Sequence, residues 1–221
     1  HANTATADTS TAVGRGNNAT ERDSTAVGNG NTASGRSSTA MGSGNTAAGI
    51  DSFATGHANT ATADTSTAVG RGNNATARDS TAVGNGNTAS GLNSSAFGRS
   101  NTTSGLDSFA TGHSNTASSD ATTSIGRNNN ASARESTAVG NGNTASGLNS
   151  AAFGQGNTAS GNDSFASGIN NTATADASTA VGRSNNATAR ESTAFGNGNN
   201  VSGIASSAFG FSNTAAGNSS L

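Results

Sequence analysis

The sequence predicts an all-β solenoid in which each fourteen-residue repeat forms one coil, and three observations carry that prediction. Residues 10–17, Ser-Thr-Ala-Val-Gly-Arg-Gly-Asn, set a register that returns at 24–31, 38–45 and onward to 206–213 without insertion or deletion. Glycine recurs at Gly14, Gly28, Gly42 and every fourteenth position to Gly210, and asparagine at Asn3, Asn17, Asn31 and so on to Asn213. Between these markers, residues 3–7 and 10–14 each alternate with period two, the pattern of a short strand.

Each five-residue segment is long enough for one strand, and the residues between them suit tight turns of about two residues. The coil therefore reads strand, turn, strand, turn. Successive coils pair in parallel at about 4.8 Å, so fifteen of them make a rod of roughly 70 Å. Stacked in this way, the chain sorts its residue types into columns. All 31 glycines fall in the columns of Gly14, Gly16 and Gly35. All twenty-two charged residues fall at the positions of Gly35, Asp8 and Asp23 or in the Arg15 column, which marks two corners.

Composition limits the alternatives. Leu, Ile, Val and Phe supply only 23 of 221 residues, a fraction typical of disorder, but net charge is only −2 and disordered tracts do not hold so strict a register. There is no Cys, hence no disulfide framework and no thiolate metal site. Balanced charge, with a pI near 5.8, leaves no basic patch for nucleic acid. No stretch is long or apolar enough to span a bilayer and no signal peptide is visible, so the 221 residues read as one repetitive domain cut from a longer chain.

Two strands folded back within so few residues leave a thin interior, which alanine fits. Ala5, Ala19, Ala33 and Ala47 in the first strand face Ala12, Ala26, Ala40 and Ala54 in the second, with Thr103, Val201 and Ser124 the only exceptions in those columns. Ser10 and Gly14, also small, are expected to share the inner side of the second strand. Alternation then places the bulky residues on the outer face of that strand. They are Val13, Val27, Met41, Val69, Val83, Phe97, Ile125, Val139, Phe153, Val181, Phe195 and Phe209, with Phe53, Phe109 and Phe165 two places earlier in three rows where Thr55, Thr111 and Ser167 follow. Each row keeps one bulky group, the trade expected at a packed surface of fixed volume. A band of this length exceeds what a soluble monomer exposes, so the column is the expected self-association interface of a closed homo-oligomer.

A longer period overlies the first: 1–56, 57–112, 113–168 and 169–221 are near copies of a four-coil unit. It sets Asp8, Asp64, Asp120 and Asp176 one coil before Arg22, Arg78, Arg134 and Arg190 in one column, which predicts opposite charges stacked at a solvated corner.

At this point the residues resemble a known family. Residues 93–101, Asn-Ser-Ser-Ala-Phe-Gly-Arg-Ser-Asn, and 149–157, Asn-Ser-Ala-Ala-Phe-Gly-Gln-Gly-Asn, resemble the head repeat of trimeric autotransporter adhesins of the Yersinia adhesin type, whose motif runs Asn-Ser-Val-Ala-Ile-Gly-x-x-Ser. The resemblance covers the whole chain. It implies a left-handed parallel β-roll, three copies of which join along their inner strands into a head on the surface of a Gram-negative bacterium. Such heads bind host matrix proteins and cells, promote self-aggregation, and are anchored in the outer membrane by a coiled-coil stalk and β-barrel, here expected beyond these residues. The leading Asn is replaced at Thr9, Asp23, Glu135 and Ala177, and the closing Ser is always Asn. What carries over is attachment in general, without collagen in particular.

Nothing in the chain resembles a catalytic or metal centre. His1, His57 and His113 share one column four coils apart, roughly 19 Å, with no Cys or second His near, and read as solvated corner residues. Serines lie in a regular ladder with no converging His and acid, and the Gly-rich turns lack the helix of a phosphate loop, so no enzyme and no cofactor is expected. The asparagine ladder reads as structural, amides stacked coil on coil and bonded to the turn. Two readings compete with an adhesin head: a spacer rod within a surface fibre, and an ice-binding solenoid suggested by the Thr4/Thr6, Thr60/Thr62 and Thr172/Thr174 array. Leu92, Leu106, Leu148, Ile50 and Ile204 at one corner, and Ile169 and Phe211 at the other, either meet a ligand or pack between chains.

Overall fold

The computed structural model describes residues 2–221; His1, assigned above to the corner column, lies outside the described residues. The chain divides into two compact units, His1–His113 and Ser114–Leu221, and each is an all-β parallel solenoid of the same coil. In the first unit the five-residue strand Thr67–Arg71 pairs in parallel with Thr81–Asn85, matching Ala68 to Ala82, Val69 to Val83 and Gly70 to Gly84. In the second unit Thr179–Arg183 pairs with Thr193–Asn197 in the same way, Val181 opposite Phe195. Within each unit the register is therefore one repeat per coil, and each column of the sequence is there a physical column.

The two strands of a coil are unequal, unlike the equal pair expected. The first is only two residues, as in Thr88–Ala89, and the second is five but begins one place later than expected, as in Thr81–Asn85. The reason lies in the corner that follows the short strand. There Ser94 N–H donates to Gly91 O at 3.1 Å, closing a four-residue β-turn whose third residue, Asn93, has φ of 56°. Ser10 and its equivalents are the last residue of that turn, and several of their hydroxyls bond within it, as Ser80 Oγ donates to Ala77 O at 2.6 Å. Those of Ser24, Ser52, Ser108, Ser136, Ser164 and Ser192 are buried without a hydrogen-bond partner. The serine column is thus a set of turn closures and not a ladder between coils. The opposite corner also takes two residues, but they are Gly86-Asn87, one place later than the Asn85-Gly86 pair expected, because the long strand runs on through Asn85 and leaves the asparagine in the turn.

The Thr9 column stands at positive φ in every coil from Thr9 to Ser219, and the Gly16 column does likewise, including Ala58, Ser100 and Asn128. Asn and Gly tolerate this conformation, but alanine pays about 1–2 kcal/mol for it. Ala121 has φ of 55°. Ala121→Gly is accordingly expected to raise stability by about 0.5–1 kcal/mol once the extra entropy of an unfolded glycine is subtracted. A urea midpoint that stays level or falls contradicts this account of the turn.

Alanine fills the interior as expected: Ala82, Ala89 and Ala96 are fully buried, and so are the exceptions Thr103, Ser124 and Val201. The Gly14 column, however, does not join them. Gly84 is half-buried with φ of 123°, and a Cβ there comes within 2.0 Å of the Gly98 carbonyl oxygen. Glycine is demanded by the approach of the next coil's backbone. The inner space beside it is taken by Asn87, fully buried, whose Nδ2 shares its two hydrogens among Gly98 O at 2.8 Å, Val83 O at 3.0 Å and Asn73 Oδ1 at 3.0 Å. Its own Oδ1 accepts Asn101 N–H at 3.0 Å. The invariant asparagine is therefore the polar core of the coil, its donors and acceptor all used.

Candidate self-association face

With the Ala12 column buried, the residues on either side of it in the long strand face outward. Every one of the fifteen bulky residues assigned to the interface lies in a long strand at such a position, and none is buried within the chain. Met41 is 40% exposed, Phe53 37% and Phe195 52%, while Val69, Val83, Phe97 and Phe109 are half-buried against neighbouring rows. In each unit these residues form an apolar stripe with no charged residue at positions 10–14 of any coil.

Within the stripe, Phe97 and Phe153 at the later position are each followed in the next coil by a Phe at the earlier position, whereas Phe195 is followed by Phe209 at the same position. The Phe97 and Phe109 rings lie 5.9 Å apart at 45°, and Phe153 and Phe165 repeat the arrangement at 5.9 Å and 44°. Small residues at Thr111 and Ser167 leave the space beside the second ring. These tilted pairs have the geometry that aromatic quadrupoles favour.

The other faces differ in chemistry. Along the short strands, Thr, Asn and Ser point outward, but only the first position of the Thr-x-Thr array is inside a strand. In the coil of Thr88–Ala89 the second, Ser90, already opens the turn. At the corner, the expected stack of aspartate on the following coil's arginine is not what forms. Asp64 turns the other way and accepts Ile50 N–H at 2.9 Å, and Asp176 accepts Asn162 N–H at 3.0 Å. Capping a backbone donor of the preceding coil takes these carboxylates away from Arg78 and Arg190.

Each arginine pairs instead with the acid beside it, Arg22 Nε–Asp23 Oδ2 and Arg78 Nε–Asp79 Oδ2 at 3.4 Å, Arg134 Nε–Glu135 Oε1 at 3.7 Å and Arg190 Nη1–Glu191 Oε1 at 3.6 Å. All are at least 45% exposed, so each contributes at most about 1 kcal/mol.

A coil-to-coil link that sequence reasoning missed does hold this corner. Hydroxyls of Thr9 and Thr65 donate to the carboxylates of Asp23 and Asp79 in the next coil. The amides of Asn93 and Asn149 reach Asp107 and Asp163 at 2.9 and 2.8 Å. The signal was present: in this column donors at 9, 65, 93 and 149 are each followed fourteen residues on by an aspartate.

The family model described as "YadA head domain repeat (2 copies)" matches residues 5–31, 33–59, 61–87, 89–115, 117–143, 145–171 and 173–199, seven successive pairs of coils. The chain belongs to the YadA head family. No curated protein matches it significantly. The YadA head motif's leading Asn now has a physical meaning, because Asn93 and Asn149 occupy the positive-φ site of the turn, where Asn is well tolerated.

The remaining candidates stay apart from one another. His57 is exposed on the corner and paired in register with Arg71, and among the described residues no three of His, Cys, Asp and Glu gather as a metal-binding group. Ile50, Leu106, Leu148 and Ile204 at the long turn are 39–44% exposed, Ile169 44% and Phe211 73% at the other corner, while Leu92 is half-buried. Among the described residues, no helix is long and apolar enough to cross a membrane.

Proposed function

We propose that this YadA head segment is a non-enzymatic adhesin module displayed on a bacterial surface, where three copies close along their long-strand faces and the flanks of the trimer attach to host cells or matrix and to other bacteria. Membrane attachment is assigned to segments other than this head. The reading is supported by membership of an adhesin family together with one observation, an uncharged stripe carrying one bulky apolar residue per coil outside an interior made of alanine. Removing each such side chain from water is worth about 1.5–3 kcal/mol when complete. The alanine interior is thin, so much of the apolar burial available to this sequence lies between chains.

A Val83→Asp, Phe97→Asp double variant tests the reading. Native chains of 21.0 kDa are expected to sediment as trimers and to bind immobilised matrix proteins and host cells. The variant is expected to lose trimer and binding together, since two carboxylates per chain cannot be desolvated at an apolar contact. An unchanged, folded oligomer removes the stripe as the interface. Folded native trimers that bind nothing favour the spacer rod.

A further inference from the structure

We infer that the bulky diagonals, Met41/Phe53, Phe97/Phe109 and Phe153/Phe165, set the register between copies of the chain and allow it to slip only in steps of four coils. This rests on the self-association proposed above. The difficulty it resolves comes from the fold itself. Every coil has the same backbone, so moving one copy along another by one coil, about 4.8 Å, leaves both backbones, both corners and nearly all rows in place. A repeat of one coil specifies a fold but no alignment.

The stripe breaks that degeneracy. Six rows carry Thr-Ala-Val, and each of the first three four-coil units places a larger group at the later position of its third coil and a Phe at the earlier position of its fourth, where Thr55, Thr111 or Ser167 follows. In aligned copies, each row meets its own copies and the ring of the fourth coil lies over a space that every copy leaves open. A shift of one coil sets Phe97 against the Thr111 row and Val83 against the Phe97 row. Each diagonal then gains an overlap on one side and a void on the other, both unfavourable in close-packed interiors. Shifts of two or three coils fail in the same way. Within the first unit a shift of four superposes one diagonal on the other but leaves four of that unit's eight rows uncovered. The partner that matches such rows is a second copy, because it alone shares their spacing, their lack of charge and their volume sequence.

Photocrosslinking reads the alignment. A benzoylphenylalanine probe replaces Thr81, on the outer face of the Thr81–Asn85 strand, and is mixed with isotopically labelled chains so that captures between copies can be mapped. Native chains are expected to capture residues 81–83 of the other copy, with a minor share in 67–69 and 95–97. A uniform variant has its diagonals rewritten to Thr-Ala-Val: Met41→Val, Phe53→Thr and Thr55→Val, with the equivalent changes at 95, 97, 109, 111, 151, 153, 165 and 167. It is expected to remain trimeric by sedimentation while captures spread to rows two or more coils away.

A second variant moves every diagonal one coil later. Mixed with probe-bearing native chains, it is expected to shift the main capture by fourteen residues, from 81–83 to 95–97. A trimeric uniform variant that still captures only its own row overturns the inference, as does a shifted chain captured at 81–83. If the uniform variant is monomeric, the shifted chain decides. Native chains that stay monomeric overturn the self-association reading, and this inference with it.

Discussion

Asn87→Asp is expected to destabilise the coil by about 3–5 kcal/mol at neutral pH, the cost of an uncompensated buried charge. The change is nearly isosteric, so its effect isolates the hydrogen-bond inventory of the amide. Nδ2 of Asn87 faces the oxygens of Val83, Gly98 and Asn73 within 3.0 Å. A carboxylate oxygen in that place meets three acceptors in a site with no solvent exposure. Such burial raises the carboxyl's folded-state pKa above its unfolded value of about 3.9. The penalty is therefore complete above the folded pKa and fades as pH falls toward about 4, where the protonated acid can donate again. Asn85→Asp, at the exposed end of the Thr81–Asn85 strand two residues before it, is expected to shift stability by no more than about 0.5 kcal/mol. Urea midpoints measured for both variants at pH 7 and pH 4 check the prediction; equal midpoints at pH 7 show that the buried amide is dispensable.

Gly84→Ala is expected to cost roughly 3–5 kcal/mol, combining a backbone conformation that strains an L-residue by about 1–3 kcal/mol with overpacking of about 1–3 kcal/mol. Its φ is +123°, and the added carbon falls 2.0 Å from the Gly98 oxygen and 2.9 Å from the Gly98 carbonyl carbon. Both are backbone atoms held in the next coil's ladder, so the clash can be relieved only by separating two coils. Gly30→Ala provides the comparison. That residue also has positive φ, +65°, but a Cβ there meets nothing within 4 Å, so only the conformational cost of about 1–2 kcal/mol remains. Thermal unfolding midpoints of the two variants should differ clearly, and a Gly30 variant as damaged as the Gly84 variant refutes the close-approach argument.

These two residues also show where sequence reading succeeded and where it stopped. Periodicity gave the coil, its parallel stacking and the alanine interior, because side-chain volume alternates along each strand and the coil-to-coil register is a simple repeat. It gave the outer position of Val83 and Phe97 for the same reason. Gly84 was assigned to the interior on size alone, since a sequence shows that a side chain is absent without showing which backbone atom requires the absence. The unequal strands escaped because the turn at Gly91–Ser94 takes up residues whose alternation still looks strand-like. At the corner, Asp64 and Arg78 were paired by sign and distance. The nearer claim of the Ile50 N–H was invisible, because backbone donors leave no mark on composition.

The asparagine column has a further consequence. Within each unit the carboxamide oxygen points toward the following coil, as Asn87 Oδ1 does toward the N–H and Nδ2 of Asn101 and Asn129 Oδ1 toward those of Asn143. The amides are chained head to tail, and their dipoles add along the stack instead of cancelling. A stack of these coils is therefore chemically polar: one end offers an open acceptor and the other offers open donors. Two stacks can extend one another only in one sense, acceptor end to donor end, so the solenoid has a built-in direction of growth.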